Sequence, residues 1–187
     1  MAVINDFRAH LTQGGARPSQ FEVLLTFPPA AGVNPVASQH AKFMCVGASL
    51  PSSDIQSIEV PYRGRMIKVA GERVFSNWRV TIMNDGNFVI REALETWSNS
   101  ILRHGSTAGN VTPGGVAGYA TNLEVKQLGR SDSYNADETT LRHYVFYNCY
   151  PISISEIGLD FGDTNSIERF QVEFSVDYWT TKDLTIS

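Results

Sequence analysis

Four histidines, two cysteines and a scatter of carboxylates are the residues from which a reaction would have to be built in this chain of 187 residues. His10, His40, His104 and His143 stand far apart. There is no Gly-x-Ser-x-Gly, no His-Glu-x-x-His and no Gly-x-x-x-x-Gly-Lys-Ser/Thr. A nucleophile needs a neighbouring base, and a base needs an orienting partner; no linear motif supplies either pair, although a site assembled from distant residues stays open. His143 lies in a β-like run and reads as a packed or surface imidazole. Asp160-Phe161-Gly162 matches a kinase tripeptide by letters, without the other kinase elements. Asp160, Asp163 and Asn165 approach a calcium loop but miss its Asp-x-Asp-x-Asp-Gly order and its closing glutamate, so a loop between strands is expected. Cys45 and Cys149 form no Cys-x-x-Cys and no zinc spacing. They read as two reduced, small core residues. Asn110-Val111-Thr112 is a glycosylation triplet that would matter only after secretion, and the polar first ten residues do not look like a signal peptide. The expectation is no enzyme, no metal and no cofactor.

The elements follow from hydrophobic period. Residues 1–19 read as a polar arm, with Val3, Ile4, Phe7 and Leu11 at helical spacing. Phe21 to Phe27 alternates as a first strand, and Pro28-Pro29 ends it. Residues 28–41 read as a loop rich in Ala, Pro and Gly, followed by a strand over about 43–48. Ile58-Glu59-Val60 and Met66-Ile67-Lys68-Val69 flank a turn, giving a hairpin excursion over 56–73. Trp78, Val80 and Ile82 alternate with Arg79, Thr81 and Met83. The period then changes. Ile90, Ala93, Leu94, Trp97 and Ile101 mark one amphipathic helix over about 88–102, capped near Asn84-Asp85-Gly86-Asn87. Residues 103–122 hold five glycines and no acidic side chain and read as a long flexible loop. Strands follow at 122–128, at 141–150 with aromatics on both faces, and at 170–179, where Phe170, Val172, Phe174, Val176 and Tyr178 alternate with polar residues. One mainly β domain over 1–187 is expected, a sandwich or barrel with one flanking helix.

Charge is the unusual quantity. Asp, Glu, Lys and Arg are 18% of the residues, against about 25% in an average soluble domain. Either other protein covers part of the surface, since interface cores are depleted in charge, or the surface is merely polar. A net charge of −4 argues against general phosphate binding. No apolar run reaches the ~20 residues of a membrane helix. Residues 60–79 carry five basic side chains and one acidic one, while residues 150–187 carry seven acids and two bases. Complementary faces of neighbouring subunits would use that asymmetry; two solvated faces would not need it.

The run Val60-Pro61-Tyr62-Arg63-Gly64-Arg65-Met66-Ile67-Lys68-Val69-Ala70-Gly71-Glu72-Arg73-Val74-Phe75, followed by Trp78-Arg79-Val80-Thr81-Ile82-Met83-Asn84-Asp85, resembles the tail tube proteins of T-even-like contractile-tailed phages. Three further blocks agree in order. Ala16-Arg17-Pro18 leads into Phe21-Glu22-Val23, Cys45-Val46-Gly47-Ala48-Ser49-Leu50-Pro51 precedes the excursion, and Phe170 to Trp179 closes the domain. The chain departs from the pattern in an expanded 28–41 segment, the 103–122 loop and the tail 180–187.

The resemblance implies a tail-tube-like β-sandwich or barrel protomer, with a fold shared by type VI secretion tube proteins. Six protomers would close a ring, and rings would stack into a hollow conduit for the genome. Tail sheath, baseplate and tail terminator proteins would be its partners, and DNA would pass without specific binding or membrane insertion. The place would be the virion tail, after assembly in the host cytoplasm. The excursion would be a stacking arm, with Tyr62, Arg63, Arg65, Lys68 and Arg73 in inter-ring contacts. The polar residues Gln171, Glu173, Ser175 and Asp177 would line the lumen. A tube initiator or terminator, or a tube protein of a non-phage injection system, is the related alternative; a β-sandwich enzyme or sugar-binding module is the unrelated one.

Overall fold

The alternation that reads most clearly in the sequence forms the centre of the structure. A computed structural model describes residues 2–10, 15–105, 115–129, 140–162 and 164–182. Leu11, the Asn110-Val111-Thr112 triplet, Asp163 and residues 183–187 of the tail lie outside the described residues. In chain order the elements are α1 (Ala2–His10), β1 (Phe21–Leu24), a 3-10 turn (Pro29–Ala31), α2 (Val36–Met44), β2 (Cys45–Ala48), β3 (Ser53–Tyr62) and β4 (Arg65–Phe75). They continue with β5 (Trp78–Met83), α3 (Val89–Ile101), α4 (Val116–Tyr119), β6 (Thr121–Leu128), β7 (Thr140–Ile154), β8 (Arg169–Ser175) and β9 (Tyr178–Lys182).

β5 pairs antiparallel with β8, Trp78 opposite Phe174 and Met83 opposite Arg169. β2 flanks β5, and β8 pairs with the second half of β7. The first half of β7 instead pairs with β6 on one side and β9 on the other, and β1 joins β6. β7 therefore belongs to two sheets and bends between them at Asn148, whose φ is 54°. That left-handed backbone is costly for a residue with a Cβ and is tolerated best by Asn and Asp. The Asn148 side chain donates to Asp177 Oδ2 at 2.9 Å, tying this bend to the matching one between β8 and β9. The two sheets pack through aromatic rings. Trp78 stacks on Phe146 at 4.4 Å and lies 5.9 Å from Phe174, and Trp97 of α3 covers Phe174 at 6.0 Å. Val80, Ile82, Phe170, Val172, Leu123 and Val125 complete the dry core.

The mainly β architecture and the α3 helix agree with the expectation; the helical complement is larger. The segment read as a loop over 28–41 and a strand from 43 contains the 3-10 turn and α2, so Phe43 and Met44 are helical. Pro35 precedes α2, where a missing N–H costs nothing. Its inner face is made of Ala37 and Ala41, both fully buried, small residues that let the helix lie close to the sheet. The loop expected over 103–122 ends earlier. α4 packs there, with the Tyr119 carbonyl accepting from Trp97 Nε1 at 2.7 Å and its ring edge-on to Tyr150. α1 forms at the helical spacing of the arm, with Ile4 and Phe7 exposed. The single strand expected over 170–179 is two: β8 ends at Ser175, and β9 pairs with the first half of β7 in the other sheet and runs on to Lys182.

Candidate functional site

Two surfaces stand out. The first is the β3–β4 hairpin, in which no residue of either strand is buried among the described residues. Its two-residue turn is Arg63-Gly64, with φ of 47° and 81°. This double positive-φ turn matches the right-handed twist of the flanking strands, and glycine removes the penalty at its second position. Near the base a bulge sets Ile55 against Arg73 and Ser57 against Ala70. A Cβ on Gly71 would lie 2.9 Å from the Gln56 carbonyl oxygen, so only glycine fits. The base is anchored to the body by Trp78 Nε1 donating to the Ser49 carbonyl, Trp179 Nε1 donating to the Ser52 carbonyl, and Phe75 edge-on to Trp179 at 6.2 Å.

Beyond the bulge the register sorts the hairpin into two faces. Ile58, Val60 and Tyr62 lie beside Val69, Ile67 and Arg65, while Ser57, Glu59 and Pro61 lie beside Ala70, Lys68 and Met66. The first face is apolar and open, with Ile58 at 54% exposure and Val69 at 50%. An isolated two-stranded ribbon with a bare apolar face has marginal stability in water.

The five residues expected to act between rings sit on this hairpin in different situations. Lys68 pairs with Glu59 across the strands at 3.6 Å, Arg73 donates to Ser53 Oγ, and Arg63 lies over the Tyr62 ring. Among the described residues Arg63 and Arg65 have no carboxylate partner. The apolar set Ile58, Val60, Ile67 and Val69 was not singled out from the sequence, although its alternation was visible there.

The second surface is the outer face of β5–β8. Gln171, Glu173 and Ser175 share it by alternation, opposite buried Phe170, Val172 and Phe174. Asp177 lies past the end of β8, in the bend, held by Asn148. Glu173 stands opposite Arg79, their side chains 3.3 Å apart, and also accepts from Asn77 Nδ2 at 3.0 Å. These bonds, Asn77 first and Arg79 next, hold its carboxyl below the ordinary glutamate range. The face is therefore polar and locally charge-balanced.

The groups weighed for chemistry are placed elsewhere. Burial pushes the Cys45 and Cys149 thiols up to about 12, which removes the thiolate a nucleophile requires. His143 is buried with its Nε2 2.7 Å from Glu124 Oε2. Asp160 accepts from the Gly162 amide in a local turn. Among the described residues no three His, Cys, Asp or Glu side chains cluster as metal ligands would.

The sequence and the fold both have relatives among known proteins. The chain is 29% identical over 164 residues to the tail tube protein gp19 of Enterobacteria phage T4, covering 88% of this chain and 90% of that one. It is 22% identical over 172 residues to the tail tube protein of Serratia phage KSP90, covering 91% and 92%. Among solved structures, a chain of the anti-feeding prophage baseplate superposes with a TM-score of 0.61 at 12% identity, covering 91% of this chain and 97% of that one. A chain of the anti-feeding prophage tube terminating cap gives 0.59 at 15% identity, covering 89% and 90%. The family model described as phage tail tube protein matches residues 16–182. With nearly its whole length matched, the chain belongs to the phage tail tube protein family.

Proposed function

We propose that six copies of this chain close a ring, that rings stack into a hollow conduit, and that the genome passes through it. One observation carries this: an anchored hairpin presents an open apolar face that, among the described residues, no part of its own chain buries. Head-to-tail contacts close rings or grow stacks according to the rotation between copies, and each stable contact needs roughly 1,000 Å² of buried surface. The hairpin supplies such area, with Tyr62, Arg63, Arg65, Lys68 and Arg73 between rings and Ile58, Val60, Ile67 and Val69 as the apolar centre. Gln171, Glu173, Ser175 and Asp177 face the lumen. A surface with balanced or negative charge gives phosphates no cation-rich track to bind, which suits a passing polymer. The whole of 1–187 acts as one structural domain without catalysis. Sheath, baseplate and terminator proteins are its other partners, in a virion tail assembled in the host cytoplasm.

Negative-stain electron microscopy of the concentrated protein tests this: hollow rings or tubes are expected from the wild type, and rings without stacks from Ile67→Asp. Monomers alone would overturn it. A second reading, an initiator or terminator of such a tube, draws on the likeness of fold to the prophage baseplate and cap chains. A tube subunit must complement itself end to end, whereas a terminator stops after one layer, so tube length separates the two.

A further inference from the structure

If the hairpin is a stacking arm, a second copy must hold the surface that receives it. We propose that this seat is the groove between α3 and the 156–168 segment, at the opposite end of the β5–β8 pair, and that its occupant is the β3–β4 hairpin of a second copy of this chain. The proposal rests on the ring-stack reading and specifies its other half.

Four observations point to this groove. The hairpin leaves the body at the Trp78–Phe174 end of β5–β8, whereas residues 156–162 and 164–168 lie at the Met83–Arg169 end, where the Asn84 amide donates to the Glu168 carbonyl at 2.9 Å. One contact repeated along the strand direction therefore joins arm to groove and builds a stack. The segment displays Leu159 at 82% exposure, Ile167 at 61% and a fully exposed Phe161, apolar side chains left uncovered among the described residues. A groove of about 370 Å³ lies beside them, lined by Phe88, Ile157 and Leu159 with Glu92, Glu95 and Glu168.

Charge is complementary as well. From Glu156 to Glu168 the chain has no basic side chain. The one cation lining the groove, Arg91, is engaged by Glu95 at 2.6 Å, by the Ser155 carbonyl at 2.7 Å and by the Phe170 ring. Glu92, Glu156 and Asp160 remain exposed carboxylates, and the hairpin tip brings Arg63 and Arg65, which have no carboxylate partner among the described residues. The reach suffices: ten residues of β3 extend about 30 Å at ~3.3 Å per residue. The apolar face of the arm then meets Leu159 and Phe161 while its tip arginines meet the groove carboxylates.

Disulfide trapping tests the pairing. Full-length Val60→Cys and Phe161→Cys proteins are mixed, concentrated and mildly oxidised. A covalent dimer in the mixture, and none in either protein alone, is expected. The native thiols stay silent because burial holds them near 12. If Val60→Cys traps a Gln39→Cys partner on α2 and not the Phe161→Cys partner, the seat is wrong while the arm still docks. If Val60→Cys traps nothing although rings stack, the arm reading fails with it. A charge exchange reads the same contact without cysteine. Arg65→Glu raises the concentration needed for stacking at least roughly tenfold, the size expected of one interfacial ion pair. Glu92→Arg added to it restores stacking. A double variant no better than the single overturns the pairing.

Discussion

Two antiparallel pairs in this chain, β3–β4 and β5–β8, are written in the same alternating pattern and meet opposite fates. In β5–β8 the apolar set Trp78, Val80, Ile82, Phe170, Val172 and Phe174 is at most 2% exposed. In β3–β4 the set Ile58, Val60, Ile67 and Val69 is 44–54% exposed. The two pairs are adjacent in sequence and share an anchor, since Trp78 begins β5 and holds the turn before the hairpin through Ser49. The difference is one of partner. Period-2 alternation states that one face of a ribbon will leave water; it does not state which chain will cover it. For β5–β8 the cover is α3 and the opposing sheet. In the stacking proposed above it would be a second molecule for β3–β4, and the cost of leaving the face bare in the monomer would drive assembly.

The sharpest way to break this comparison is to damage each pair in turn. Trp78→Ala removes a ring stacked on Phe146 and a hydrogen bond to Ser49. It should cost about 3–5 kcal/mol, seen as a fall in Tm of roughly 10 °C for a domain of this size. Ile67→Asp should leave Tm almost unmoved, within about 0.5 kcal/mol, while stacking is lost. Thermal unfolding and electron microscopy on the same two proteins give the four readings. An equal loss of Tm in both would mean that the hairpin packs on its own body.

Much of this contrast was legible in the residues. The β5 and β8 alternation, the period of α3 and the hairpin around Arg63-Gly64 all follow from local pattern. α2 was not legible, because its buried positions are alanines. Ala37 and Ala41 carry no strong hydrophobic signal, and the Ala, Pro and Gly composition around them matches a loop. The bend in β7 was hidden for the opposite reason. Aromatics on both faces of 141–150 made one long strand look simply covered on both sides, whereas Asn148 turns it from one sheet into the other. The arginines mark the hairpin in the sequence, whereas its apolar face carries no separate mark, because alternation alone cannot tell a core from an interface. The groove at 156–168 had no linear signal at all; α3 and the segment after β7 meet only through the fold.

A second change separates the geometry of the arm from its chemistry. Gly71→Val places a side chain against the Gln56 carbonyl, 2.9 Å from the position of the added Cβ, and against Ile58 at 3.1 Å. Overpacking of this kind costs about 1–3 kcal/mol where it occurs. The hairpin must shift its bulge and turn its apolar face away. Stacking should weaken severalfold at the same concentration, although no contact residue has changed. Sedimentation measures the loss, and Tm should stay near the wild-type value because the strain falls outside the core.

The two cysteines give a gentler probe of which surfaces are closed. Burial keeps both thiols near 12, so at pH 8 the thiolate fraction is very small. A colorimetric thiol reagent should react slowly with the native protein and rapidly with both sulfurs after denaturation. Fast native reaction at Cys45, which is half-buried beside Gly47, would show that the β2 edge opens.

The smallest effect belongs to the other face of the well-buried pair. Glu173 is held below its ordinary range by Asn77 and Arg79, so its folded value is depressed relative to the unfolded chain. Such a group contributes stability above the unfolded pKa and loses it as pH falls through the folded one. Glu173→Gln should therefore be slightly less stable than the wild type at pH 7, and the gap should close on acidification below about 4.5, the ordinary value for glutamate. An exposed cross-strand pair is screened by salt, so the gap should also narrow at high ionic strength. Urea titrations at pH 7 and pH 3 measure it. A gap undiminished between pH 7 and pH 3 would assign the loss to the hydrogen-bond geometry around Asn77 rather than to charge. In that case the outer face of β5–β8 is held by shape, as its inner face is.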